Sequence, residues 1–152
     1  FALIGCGRVS ENHLAALTSP DVPARLVAVA DLDRARAEQK GAKYSVPAYM
    51  DFQEMLVKHP DIEVADITTP TGYHAEHVQA VARFAKHVVV EKPMALTVAD
   101  CDAMLAACQR NSRRLFVVKQ NRFNPGAGGP ARFRGGAVRQ AGVGYGAGAV
   151  AS

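Results

Sequence analysis

The chain has 152 residues, 49% of them apolar, and a formal charge of +4. That length predicts one domain with enough apolar surface for a core, and no apolar run approaches the ~18 residues that a membrane-crossing helix needs. The charge does not mark a nucleic-acid binder: Arg132, Arg134 and Arg139 lie in an acid-free tail, the other 15 of the 18 basic residues face 14 acidic ones, and no basic stripe is interleaved with aromatics.

Phe1 to Ile4 is an apolar run that enters Gly5-Cys6-Gly7 directly, and a helical pattern follows from Val9 to about Thr18. This is the order strand, tight turn, helix. Gly5 permits the turn. Gly7 permits close approach of a pyrophosphate, whose charge then sits on the helix N-terminus at Arg8 and Val9. The third small residue of the fingerprint is Ser10 rather than glycine. Arg25 to Ala30 reads as a second buried strand ending in Asp31, where an acid hydrogen-bonds the adenosine ribose hydroxyls. A carboxylate there repels a 2′-phosphate, so NAD is expected over NADP. The plainer reading has Asp31 capping the next helix. Cys6, Cys101 and Cys108 show no metal-ligand spacing and predict free thiols in a reducing cytoplasm. The N-terminus shows strand character rather than that of a signal peptide.

Asp33 to Gly41 predicts a short charged helix ended by Gly41, and Val46 to Tyr49 a brief strand. Asp51 with Glu54 predicts a capping box opening a helix to about Lys58. Glu63 to Thr68 reads as a fourth strand and Thr69-Pro70-Thr71-Gly72 as a turn. Tyr73 to Phe84 reads as a helix with Val78, Val81 and Ala82 inward. His87 to Val90 is a fifth strand. Thr97 and Asp100 form a second capping box, opening a helix with Val98, Cys101, Leu105 and Cys108 as its apolar stripe. Leu115 to Val118 is a sixth strand. Alternating strands and helices predict an α/β fold, a Rossmann-type doubly wound parallel sheet.

Ligands of such sheets bind beyond the carboxyl ends of the strands. Gly5 and Gly7, Asp31, the Thr68-Thr69-Pro70 turn and Glu91-Lys92-Pro93 all fall there. Lys92 is the expected catalytic residue, an acid or base whose partial burial would lower its pKa; a salt bridge or a solvated head group is the plainer alternative. A cis Lys92–Pro93 bond is expected. His74 and His77 lie one helical turn apart without a third ligand, so no metal is expected.

Together, Gly5-Cys-Gly7, Asp31, Thr69-Pro70 with His74, Glu91-Lys92-Pro93 and Lys119-Gln-Asn-Arg-Phe-Asn-Pro125 resemble the Gfo/Idh/MocA family of oxidoreductases. The resemblance covers residues 1–125. It implies oxidation or reduction of a ring hydroxyl or ketone of sugars, inositols and related compounds with NAD, with Lys92 catalytic and touching substrate. It also adds His74, Glu91, Lys92 itself and Gln120 to the cofactor side. Within the family the wording around the motifs is most similar to bacterial UDP-N-acetylglucosaminuronate 3-dehydrogenases of polysaccharide synthesis. The family pattern implies a second α+β domain, truncated here, which supplies a catalytic histidine and the interface of homo-oligomers. This chain alone is then expected to bind NAD without turnover. The alternatives are a non-catalytic NAD-binding module or regulator, and a fragment that folds poorly.

The domain reading is therefore a Rossmann domain over 1–125 and a Gly/Ala-rich tail over 126–152. The tail holds nine of the 13 glycines and no acid. It reads either as a disordered linker or, preferably, as an out-of-frame translation. Read one base along, codons for 137–150 permit Arg-Phe-Gly-Lys-Leu-Val-Leu-Gly-Thr-Val-Arg-Val-Arg-Trp, a strand-like string.

Overall fold

The computed structural model of the chain describes residues 1–119; Gln120 and the 126–152 tail lie outside the described residues. Six strands form one sheet: β1 (Ala2–Ile4), β2 (Ala28–Ala30), β3 (Ala48–Tyr49), β4 (Val64–Ile67), β5 (His87–Val90) and β6 (Leu115–Val117). Between them run α1 (Ser10–Leu17), α2 (Arg34–Tyr44), α3 (Phe52–Lys58), α4 (His74–Arg83) and α5 (Val98–Arg110), with one 3₁₀ turn at Thr71–Tyr73. The order across the sheet is β3-β2-β1-β4-β5-β6, and every pairing is parallel. The direction of winding reverses between β1 and β4, the switch point at which doubly wound folds hold ligands.

Strand side chains alternate between faces, and the core divides accordingly. Leu3 and Val29 meet Leu14 of α1, with Leu26 and Cys6, on one face. Ala2, Ile4, Ala28, Ala30, Ala65, Ile67, Val88 and Val90 meet α3, α4 and α5 on the other. Asp66 is in register with Leu3, so this carboxylate points to the α1 face. Further along that row Val89 is half-buried and Phe116 exposed. The covered part of this face thus ends near Asp66.

The expected elements are all present, with three corrections. Gly41 does not end α2. The helix runs on to Tyr44 and stops at Ser45, whose φ of 55° is left-handed. Gly41 instead marks a close approach: a Cβ there would lie 2.8 Å from the Val46 carbonyl oxygen and 2.9 Å from the Ala48 Cβ. The stripe of α5 is rotated from the expected one. Met104, Ala107 and Cys108 are buried, whereas Val98 is 77% exposed and Leu105 40%, because the face that packs on α4 and the sheet is centred on Met104. The second and third strands begin later than expected, at Ala28 and Ala48, although Leu26 and Val27 are buried ahead of β2.

The helix caps follow local chemistry. Thr97 Oγ1 accepts from the Asp100 amide and donates to the Asp100 carboxylate. Asp51 accepts from the Gln53 amide, while Glu54 turns to Lys58 rather than closing the box. Helix α2 is tied to α1 by Lys40 and Lys43, both paired with Glu11. The hydrogen bond from Lys40, then that from Lys43, hold the Glu11 carboxyl down to about 2.

Candidate functional site

The pairing registers place Ile4 beside Ala30 on one side and Ile67 on the other, and Ile67 beside Val90. The residues that follow these strands, Gly5, Asp31, Thr68 and Glu91, therefore form one row along the carboxyl edge. The ladder continues through them: Gly5 N–H donates to Ala30, Thr68 N–H to Ile4, and Glu91 N–H to Ile67. Four separately predicted features are thus brought together by strand register alone.

Gly5 has φ of +98°, and a Cβ on it would lie 2.8 Å from the Thr69 nitrogen and 2.9 Å from the Thr68 carbonyl carbon. Only glycine fits both the conformation and the space. Gly7 faces open space, and a Cβ on it would meet nothing within 4 Å. Among the described residues the amides of Gly7, Arg8 and Val9 have no acceptor, while the next amides, from Ser10 on, bond back to Gly7, Arg8 and Val9 carbonyls. Open space beside unpaired amides at a helix start fits an anionic pyrophosphate. Ser10 takes the place of the third glycine because its hydroxyl is fully buried and donates to the Gly7 carbonyl at 2.5 Å.

Asp31 is half-buried and braces the turn. Oδ2 accepts from the Cys6 amide at 2.7 Å and Oδ1 from the Asp33 amide at 2.8 Å. Each oxygen keeps a lone pair for a diol. The capping role falls to Asp33, which accepts from the Ala35 and Arg36 amides. Beside the turn, burial and the Asp31 charge push the Cys6 thiol up to about 12, so Cys6 is an inert filler rather than a nucleophile.

Several expected cofactor contacts are turned inward. The Thr68 hydroxyl donates to the Gly5 carbonyl at 2.6 Å and is buried. His74 is 1% exposed, with Nδ1 3.0 Å from the Pro93 carbonyl and Nε2 2.8 Å from that of Thr69. It joins the two turns of the site and has no free nitrogen for a cofactor or metal. Thr69 Oγ1 lies 3.0 Å from His77 Nδ1, and the His77 ring stacks on exposed Tyr73. Burial lowers the His77 pKa. Pro70 is exposed at the outer end of this turn.

The Lys92–Pro93 bond is cis, as expected. The expected partial burial of Lys92 is not found: the residue is exposed, and its ammonium has no ion-pair partner among the described residues. Its position is set through the main chain, because Glu91 Oε2 accepts from the Lys92 amide at 2.6 Å.

A further cluster escaped the sequence reading. His13 on α1 has Nδ1 at 2.8 and 3.0 Å from the two Asp66 oxygens, and Nε2 at 3.1 Å from Glu91 Oε1. Burial lowers the His13 pKa, but the hydrogen bond and charge of Asp66, then of Glu91, outweigh it and leave the value raised. One signal was present: Asp66 is a lone acid in the apolar run Val-Ala-Asp-Ile.

Residues 1–119 match the Gfo/Idh/MocA oxidoreductases, described as having an NAD-binding Rossmann fold. The crystal structure of the WlbA dehydrogenase from Bordetella pertussis, in complex with NADH and UDP-GlcNAcA, superposes with a TM-score of 0.78 at 36% identity, over 82% of this chain and 38% of that one. A 1-carboxy-3-chloro-3,4-dihydroxycyclohexa-1,5-diene dehydrogenase from Comamonas testosteroni is 40% identical over 66% of this chain and 25% of its own length. Inositol 2-dehydrogenase from Salmonella paratyphi B is 34% identical over 76% of this chain and 35% of its own. The chain thus spans about a quarter to two fifths of the proteins it matches.

Proposed function

The chain belongs to the Gfo/Idh/MocA family of oxidoreductases with an NAD-binding Rossmann fold, and from that premise we propose that it is the cofactor side of an NAD-dependent dehydrogenase for a ring hydroxyl of a sugar nucleotide. The narrower reading is oxidation of the 3-hydroxyl of UDP-N-acetylglucosaminuronate. The observation that carries the proposal is the row Gly5, Asp31, Thr68 and Glu91 along one sheet edge, with exposed Lys92 beside it. The likeness to a dehydrogenase crystallised with NADH and UDP-GlcNAcA supports the choice of substrate class.

In this reading the dinucleotide, when bound, supplies the hydride acceptor. The amides of Gly7, Arg8 and Val9 receive its pyrophosphate, and Asp31 holds the adenosine ribose diol and opposes a 2′-phosphate. Thr68, Thr69 and His74 fix the turns that flank the site, and Pro70 borders it. Gln120 belongs to the cofactor side by the family pattern. Lys92 takes the proton from the reacting hydroxyl, or returns it in the reverse direction. The family pattern assigns a catalytic histidine, much of the substrate site and the oligomer contacts to a further α+β domain, while Lys92 meets the substrate from this one. Free cysteines suit a reducing cytoplasm.

The test is Lys92→Ala in a chimera that joins residues 1–119 to the remaining residues of the WlbA dehydrogenase. Turnover of UDP-N-acetylglucosaminuronate should fall by roughly 10²-fold or more, the usual contribution of a positioned acid–base group, with NADH affinity preserved. Unchanged turnover removes Lys92 from the mechanism. NADH binding with no turnover of sugar nucleotides or inositols by the unmutated chimera favours a non-catalytic sensor instead.

A further inference from the structure

Asp66 is an unusual residue for its place. It sits inside β4, 2% exposed, between β1 and β5, and is the one carboxylate in the strands of the described residues. Its only side-chain hydrogen-bond partner among the described residues is His13. Burying a carboxylate is costly, and replacing a buried ionic group by apolar side chains is often neutral or stabilising. Stability alone is therefore a poor reason for an acid here.

The geometry gives a better one. Asp66 receives His13 Nδ1, His13 Nε2 reaches Glu91 Oε1, and Glu91 Oε2 takes the Lys92 amide. The chain of contacts starts in the sheet interior and ends on the peptide that carries Lys92. It crosses α1, β4 and the end of β5. Both carboxylates accept, and a neutral imidazole carries one N–H, so both sides are satisfied together only by an imidazolium. The groups facing that ring are Asp66 from β4 and Glu91 from the end of β5; Glu11, on the same helix, is engaged by Lys40 and Lys43 of α2.

We propose that protonated His13 is a positioning residue: by bridging Asp66 and Glu91 it holds Glu91 on the Lys92 amide and so aims Lys92 from the helix that also forms the glycine turn. This rests on the role given to Lys92 above. Loss of the His13 proton leaves one carboxylate facing a lone pair. Glu91, at the strand end, is the freer of the two and swings away, releasing the Lys92 peptide. The direction of the His13 shift agrees, since the two carboxylates keep the proton on the ring above the ordinary histidine value of 6.5.

The test is nuclear magnetic resonance on the isotopically labelled chain, following the His13 ring and the Lys92 amide across the pH range in which histidine changes charge. A carboxylate-bound amide responds when its acceptor moves. The expected result is one shared midpoint, above 6.5. In Asp66→Asn both midpoints should fall together, because the adjacent charge that favours the imidazolium is removed. In His13→Gln the Lys92 response should vanish. A Lys92 amide that stays flat while His13 titrates, or that keeps its own midpoint in Asp66→Asn, overturns the proposal; if His13→Gln does not fold, Asp66→Asn decides. NADH titration of the same samples keeps the two ideas apart, because absent NADH binding with intact co-titration counts against the functional reading and not against the His13 relay.

Discussion

Gly5 and Gly7 stand two residues apart and do different work. Gly5 has a left-handed φ of +98° and backbone atoms of Thr68 and Thr69 within 3 Å of the missing Cβ. Gly5→Ala should therefore destabilise the fold by about 1–3 kcal/mol, the range for a strained backbone position, read as a lowered urea midpoint. Gly7 has no such neighbours and no left-handed φ. Gly7→Ala should leave the urea midpoint nearly unchanged and weaken NAD+ binding about tenfold or more, because the added methyl occupies the space left for the pyrophosphate. Equal effects of both substitutions on folding would show that Gly7 is structural. The sequence already separated the two roles, Gly5 for the turn and Gly7 for the pyrophosphate; the crowding at Gly5 was not legible, because Thr68 and Thr69 come from a distant strand end. Asp31 was legible from its order in the chain, but its grip on the Cys6 and Asp33 amides depends on β2 lying beside β1.

At the scale of elements, strand and helix order was legible and packing detail was less so. Alternation of apolar strands with helices sufficed for the sheet because parallel strands buried on both faces read as continuous apolar runs. The end of α2 was misread at Gly41, where glycine serves close packing instead of termination. Gly41→Ala should cost roughly 1–3 kcal/mol, as overpacking does, because Val46 and Ala48 leave no room; a urea midpoint at or above that of the parent would contradict this. The His13–Asp66–Glu91 cluster was not legible because its members are 53 and 78 residues apart from His13. They meet only after α1 is laid across the sheet. His13 has a raised folded-state value, so its contribution to stability is full below the unfolded value of 6.5 and is lost as pH rises through the folded value. Urea unfolding should accordingly show declining stability above about pH 6.5, and His13→Gln should remove that part of the slope. An identical slope in the variant would mean that other groups produce it.

For the whole molecule, the described residues form one cofactor-binding sheet whose carboxyl edge holds the candidate site. Across the row that starts at Leu3 on the α1 side, cover diminishes from Asp66 through Val89 to exposed Phe116. Lys92 lies at that less covered side, past the end of β5. The family of the chain was legible because its motifs occupy strand ends, where register gathers distant residues. The substrate was not, because residues 1–119 match only a part of each relative. The central claim, an NAD site built by Gly7, the start of α1 and Asp31, is most directly tested by calorimetric titration of the chain with NAD+ and with NADP+. Saturable one-to-one binding of NAD+, with NADP+ weaker by about tenfold or more (some 1.4 kcal/mol), is the predicted result. No saturable NAD+ binding, or equal affinity for the two dinucleotides, would contradict it.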